Sequence, residues 1–136
     1  ILVRTHENRE LLPAAVWRMY KLAPDRVLSF MRRRVFRGEF DLQVEREIQW
    51  AVHIISIACW RIDHDWSSRF VEGGREVIPE ARTQLLKLAN IDAWWVNLYA
   101  AIISERFPEL STPEVVETLM NSKHELVLKA MAQKRG

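Results

Sequence analysis

Residues 48–60, with the sequence IQWAVHIISIACW, form the longest apolar-rich run of the chain. The run has 13 residues with three polar interruptions, whereas a bilayer span needs about 20 apolar residues. The helical pattern around it extends from a capping residue at Asp41 to about Trp66. Because apolar residues occupy most of its circumference, we expect this long helix to lie, largely buried, at the centre of the protein.

Helical periodicity dominates the rest of the chain as well. The other expected helices cover residues 7–21, a segment that starts at Pro24 and ends just before Gly38, a region from Pro79 to about Phe107, and the segment from Ser111 to about Ala132. The loop SSRFVEGG, residues 67–74, should separate the third helix from the fourth. Asp92 is expected to cap a helix that restarts after a break at Asn90, and Ser111 with Glu114 resembles a capping box.

Length and composition agree with a helical bundle. The 136 residues suit one domain, and 49% hydrophobic with 28% charged residues argues against long disordered stretches. No segment combines strand alternation with hairpin turn residues. We therefore expect an all-α, single-domain bundle of five or six helices over residues 1–136. The missing initiator methionine is consistent with a fragment or an internal product of a longer protein.

Cys59 is the only cysteine. A single thiol can form neither an internal disulfide nor a cysteine-based zinc site, and such usage is typical of a reducing compartment. We therefore expect a cytoplasmic protein that does not contact a membrane.

Positive charge is concentrated in the first third of the chain. The formal net charge is only +2, but residues 1–40 hold nine Lys or Arg residues against four acids, whereas residues 41–110 hold seven against eleven. Fifteen of the 20 bases are arginine, the side chain that binds phosphate and carboxylate groups through two parallel hydrogen bonds. The N-terminal third is therefore expected to be a basic unit.

The second expected helix carries arginines on the side opposite its apolar residues. At about 100° per residue, one stripe of this helix contains Arg26, Phe30, Arg33 and Arg37, and Arg34 flanks it. Such a face can bind the phosphate backbone of RNA or single-stranded DNA through counterion release, and Phe30 can stack on an unpaired base. A solvated basic face, or one that docks on an acidic protein, remains the alternative interpretation.

The third helix has one polar stripe, which includes Glu45, His53 and His64. A small metal-binding bundle that uses these three residues is an alternative, because His and Glu are common metal ligands. The paired Glu-x-x-His motifs of di-iron bundles and the His-Glu-x-x-His zinc motif are both absent. We favour histidines that face water or a subunit, and we expect no metal, no cofactor, no catalytic residue and no enzymatic activity.

Six tryptophans are more than a core of this size can bury completely. Trp94 and Trp95 lie about 100° apart on a helical wheel, so one of them should point outward. Exposed aromatic rings are typical anchors of protein interfaces, and Lys123 interrupts the apolar stripe of the last helix. We expect Trp94, Trp60 and Lys123 to contact protein partners.

These features together predict a non-enzymatic helical subunit of an oligomer or hetero-complex. Apolar and tryptophan-bearing faces would bind protein neighbours, and the arginine stripe would bind a nucleic-acid backbone.

Overall fold

The computed structural model describes residues 15–64 and 71–133, except for the side chains of 71–76 and 133. Within these residues the chain forms seven α-helices and no strand. The helices are α1 (residues 15–22), α2 (Pro24–Phe30), α3 (Leu42–Asp63), α4 (Val71–Ala89), α5 (Trp94–Arg106), α6 (Pro113–Met120) and α7 (Glu125–Gln133). The all-α class is confirmed. The expected count of five or six is too low, because the segment predicted as one C-terminal helix forms both α6 and α7.

The central helix is α5, not α3. Nine of the thirteen side chains of α5 are buried, and α5 packs against α2, α4, α6 and α7. Buried Tyr20 of α1 donates a hydrogen bond to the backbone oxygen of Trp95 at 2.8 Å. The expectation of a largely buried α3 is wrong, since α3 buries one stripe, from Ile48 to Ala58, and exposes the opposite side.

Local capping signals explain where α3 begins. Gly38 has φ +86, in the left-handed region that favours glycine, and reverses the chain after α2. Asp41 then accepts a hydrogen bond from Val44 N at 2.9 Å, as an N-cap does. The helix ends at Asp63, three residues before the expected end at Trp66. Trp66 belongs to residues 65–70, which lie outside the described residues.

The start of α4 contradicts the second half of the expected loop, residues 71–74, whereas residues 67–70 lie outside the described residues. The helix begins by Val71, so it includes Gly73 and Gly74, and Pro79 lies inside it rather than at its start. Glycine and proline both disfavour a helix interior, but α4 packs along α3 and buries Leu85 among other residues. Tertiary packing therefore overrides the local preference. Residues 7–14 of the predicted first helix lie outside the described residues.

The predicted break at Asn90 is confirmed, but its cap differs. No side chain caps α5 at its N-cap residue Ala93, so the predicted role of Asp92 is wrong. Asn97 closes the junction instead, because its Nδ2 donates to the backbone oxygens of Leu88, Ala89 and Ile91 at 3.0, 3.1 and 2.9 Å. One amide from α5 thus satisfies carbonyls at the C-terminal end of α4.

Capping residues also delimit α6 and α7. Thr112, rather than the predicted Ser111, caps α6 by accepting from Val115 N at 3.3 Å. Before α7, His124 Nδ1 accepts from Leu126 N at 3.2 Å. Within the described residues, no helix is long and apolar enough to cross a bilayer.

The His124 contact predicts a dependence of stability on pH. Partial burial lowers the pKa of His124 from its ordinary 6.5, with the nearby Glu125 opposing the shift, and protonated Nδ1 cannot accept the Leu126 N–H. Because the pKa of His124 is lower in the folded protein, the unfolded chain binds more protons than the folded protein when the pH falls below 6.5. With respect to His124, the free energy of unfolding is therefore highest above pH 6.5 and decreases as the pH is lowered through that value.

Urea denaturation between about pH 8 and about pH 5 measures this effect. We expect His124→Asn, which can still cap a helix, to remove the pH-dependent step. His53→Asn, at an exposed position of α3, is the matched control and should retain it. If the His124→Asn variant lost stability on acidification as the wild type does, His124 would not be the group responsible.

Candidate nucleic-acid interface

The arginine stripe lies on α2 and on the turn that follows it. Pro24 occupies the first helical position, where proline is favoured. After Phe30 the chain continues into a π-helical turn, Met31–Val35, closed by a hydrogen bond of 2.8 Å from Phe36 N to Met31 O. Such turns are rare and frequently occur at functional sites. Val27, Leu28 and Met31 are buried, which turns the opposite side of α2 toward solvent.

Four of the five predicted binding residues are exposed arginines. Arg26, Arg33, Arg34 and Arg37 are all exposed, and among the described residues none of their guanidinium groups forms an ion pair with a carboxylate. The fifth, Phe30, exposes 44% of its surface. Phe30, Arg33 and Arg34 line a surface pocket of about 360 Å³. The structure therefore exposes all five predicted residues and brings Phe30, Arg33 and Arg34 together at one pocket. We call the five residues the arginine face.

Arg32 differs from its neighbours because it points inward. Its side chain is buried, and its Nε lies 2.6 Å from Glu45 Oε1 of α3. This ion pair connects the π-helical turn to the first turns of α3. Arg32 consequently holds the helix in place while the adjacent arginines stay available.

A carboxylate within α2 provides the second anchor. Asp25 Oδ1 accepts a hydrogen bond from the hydroxyl of Tyr99 at 2.7 Å, and Oδ2 accepts one from Ser56. Burial, reinforced by the charge of Asp25, raises the pKa of Tyr99 well above its ordinary 10.0, so that its hydroxyl remains a donor. Asp25 thereby joins α2 to both α3 and α5, and its charge is unavailable to the neighbouring Arg26.

The sequence interpretation missed both anchors. Asp25 and Arg32 are seven residues apart and therefore lie on one side of a helix, as do Glu45 and Ser56 of α3, which are eleven apart. This matched spacing of polar residues on consecutive helices was the available signal. It becomes visible only once the side-chain contacts between the two helices are known.

The residues of the metal-binding alternative do not converge. Glu45 is paired with Arg32, and exposed His64 stacks on Trp60, with ring centroids 4.4 Å apart. Exposed His53 instead contacts the ring of Trp50, at 5.7 Å. In the described part of the chain, no three His, Cys, Asp or Glu side chains form a group that could hold a metal ion.

The tryptophans are distributed differently from the prediction. Trp95 is buried, as one of the pair was expected to be. Trp94 is only half-exposed, because His124 stacks on it at 4.5 Å and Phe36 meets it edge-on at 6.3 Å. Among the tryptophans that the structure describes, the exposed rings are those of Trp60 and, unpredicted, Trp50.

Two remaining features lie outside the arginine face. Lys123, the third predicted contact residue, is exposed between α6 and α7. Cys59 is half-buried, and burial, with Asp25 and Asp63 nearby, raises the pKa of its thiol to about 12. At neutral pH this thiol is protonated and a weak nucleophile.

The chain matches no protein-family model, no curated protein sequence and no solved structure.

Proposed function

We propose that the protein binds the phosphate backbone of a nucleic acid through the arginine face, as a non-enzymatic subunit of a larger assembly. The observation that carries this proposal is the group of four exposed guanidinium groups without ion-pair partners among the described residues. Like charges held this close repel one another, and phosphates relieve that repulsion through charge-assisted hydrogen bonds.

The anchoring of α2 supports the same function. Arg32 and Asp25 are engaged with Glu45, Ser56 and Tyr99, so the available arginines are mounted on a helix that is fixed at two points. Phosphate contacts position a ligand best when they come from such pre-organised elements.

Contacts with protein neighbours form the second part of the proposal. Apolar side chains are exposed at Leu22, the last residue of α1, and at Met120, at the end of α6. Exposed Lys123 lies close to Met120 in sequence. These positions, rather than the covered ring of Trp94, support an assembly contact.

Salt-dependent binding tests the nucleic-acid part. We expect fluorescence anisotropy with a labelled oligonucleotide to show affinity that falls steeply between about 50 and about 300 mM salt. In the variant Arg33→Ala/Arg37→Ala, the slope of log K against log salt should decrease in magnitude by about 2, with a loss of affinity of at least about 10-fold.

A charge-matched control separates this site from general attraction. Lys87→Ala/Lys123→Ala removes two exposed charges outside α2 and should leave the slope nearly unchanged. Binding that ignores salt, or an absence of binding, would refute the proposal. Binding to polyglutamate that depends on Arg33 and Arg37, without binding to oligonucleotides, would assign the face to an acidic protein instead.

A further inference from the structure

A second surface pocket is formed by α3 and α4, which pack along each other. Its volume is about 490 Å³, within the range of about 300–1,000 Å³ that is typical of small-molecule sites. Glu47 lines the pocket from α3. The second half of α4 and the turn that follows it supply the other lining residues, which are Thr83, Leu86, Lys87, Leu88, Asn90 and Ile91. None of these residues belongs to the arginine face.

Aliphatic side chains form the apolar part of the pocket. Leu88 is buried, whereas Leu86 and Ile91 are half-buried and pack against the core with one part of their surface. The other part remains accessible in the pocket. A ligand with an apolar body would remove this surface from water, which favours binding.

The wall of the pocket around Ile91 is fixed in the absence of a ligand. The side-chain amide of Asn97 donates to the backbone oxygens of Leu88 and Ile91 at 3.0 and 2.9 Å. These hydrogen bonds hold the turn after α4 against the start of α5. A pocket that is formed in advance binds more favourably, because little ordering of the protein is required on association.

Four polar side chains line the pocket, and two of them already use their donors. The Thr83 hydroxyl and the Asn90 amide each donate to a backbone oxygen of the preceding turn of α4, at 3.3 and 2.9 Å. Glu47 and Lys87 are exposed, and neither forms an ion pair or a hydrogen bond with any residue that the structure describes. The pocket therefore offers one carboxylate and one ammonium group beside an apolar surface.

The charged residues next to the pocket in sequence do not change this balance. Arg46 precedes Glu47, and Asp92 follows Ile91; both are exposed, and neither lines the pocket. Because their charges are opposite, they favour neither an anion nor a cation. A ligand that matches the pocket therefore carries both charges and no net charge.

We infer that this pocket binds a small zwitterion with an apolar side chain, which is the chemistry of a free aliphatic amino acid. The ammonium group of the ligand pairs with Glu47, and its carboxylate pairs with Lys87. Its side chain covers the accessible parts of Leu86 and Ile91. This binding function goes beyond the proposed contact with nucleic acid and does not depend on it.

A titration with L-leucine, followed by the chemical shifts of the backbone amides in ¹H–¹⁵N spectra, tests the inference at about pH 7. We expect saturable shifts at Leu86, Lys87 and Ile91, with a Kd between about 10 μM and about 1 mM for so small a ligand. Glycine keeps both charges but lacks the apolar side chain, so it should bind at least about 10-fold more weakly. L-leucinamide lacks the carboxylate, N-acetyl-L-leucine lacks the ammonium group, and each should bind about 3- to 10-fold more weakly.

Variants of the two charged residues assign each ligand group to its partner. Glu47→Gln should weaken the binding of L-leucine about 3- to 10-fold but leave N-acetyl-L-leucine unaffected, because that ligand has no ammonium group. Lys87→Gln should weaken L-leucine to a similar extent but leave L-leucinamide unaffected. Both side chains are exposed, so these variants should fold. Glu117→Gln removes an exposed carboxylate of α6 that does not line the pocket and is the matched control, with unchanged binding expected.

Three results would overturn the inference. The first is the absence of shifts at the pocket amides with L-leucine at about 20 mM, well above the expected Kd. The second is equal binding of glycine and L-leucine, since the apolar surface would then contribute nothing. The third is equal binding of L-leucine, L-leucinamide and N-acetyl-L-leucine, because the pocket would then select apolar bodies without regard to charge.

Discussion

Replacement of Asp25 by alanine is expected to lower the free energy of unfolding by about 3–5 kcal/mol, because it removes a charged acceptor shared by two hydrogen bonds. The hydroxyl of Tyr99 is buried and donates to Asp25 at 2.7 Å, so it would be left without an acceptor. Ser56 would lose the same carboxylate. Urea denaturation followed by circular dichroism measures the change.

A double-mutant cycle isolates this interaction. Tyr99→Phe removes the buried donor itself, so Asp25→Ala/Tyr99→Phe should be less destabilised than the sum of the two single variants. The Asp25→Ala variant should also bind oligonucleotide more weakly although every arginine is intact, because α2 loses one of its two anchors. A destabilisation below about 1 kcal/mol would show that Asp25 does not act as an anchor.

Replacement of Asn97 by aspartate is expected to destabilise the protein by about 2–4 kcal/mol, because the new carboxylate faces three carbonyl oxygens and has no proton to donate. The Nδ2 atom of Asn97 now donates to all three. Proximity to these carbonyls should raise the pKa of the new carboxyl group. The deficit relative to wild type should therefore shrink as the pH falls and the group becomes protonated.

Asn90 offers a matched control for this variant. Its side chain also donates to a carbonyl of α4, Leu86 O, at 2.9 Å, but it is exposed. Asn90→Asp should cost no more than about 1 kcal/mol, since water can replace the lost hydrogen bond. Equal destabilisation by the two substitutions would mean that Asn97 acts only as a local turn residue.

Sequence alone located α2, the helix from which the arginine face begins, because its signals are local. Pro24, Gly38 and Asp41 act within a few residues of their own positions, and the structure places α2 and the start of α3 where these signals predict. The apolar side of α2 likewise follows from spacing, so the exposure of Arg26 and Arg33 could be predicted.

Features that depend on packing between helices could not be predicted in this way. Tryptophan is counted as apolar, so Trp50 made α3 resemble a buried centre although its ring is exposed. The inward turn of Arg32 depends on Glu45, thirteen residues away and on another helix. The position of α5 is set by the helices that surround it, which no periodicity within residues 94–106 encodes.

The burial of α5 on all sides has a consequence for recognition. Because α2, α4, α6 and α7 all pack against this one helix, the helix that carries Arg26 and Phe30 rests directly on the core. Little conformational entropy then remains to be lost when a flexible strand associates. The ordering required for association therefore falls mainly on the ligand, and ligands that are already extended should associate most readily.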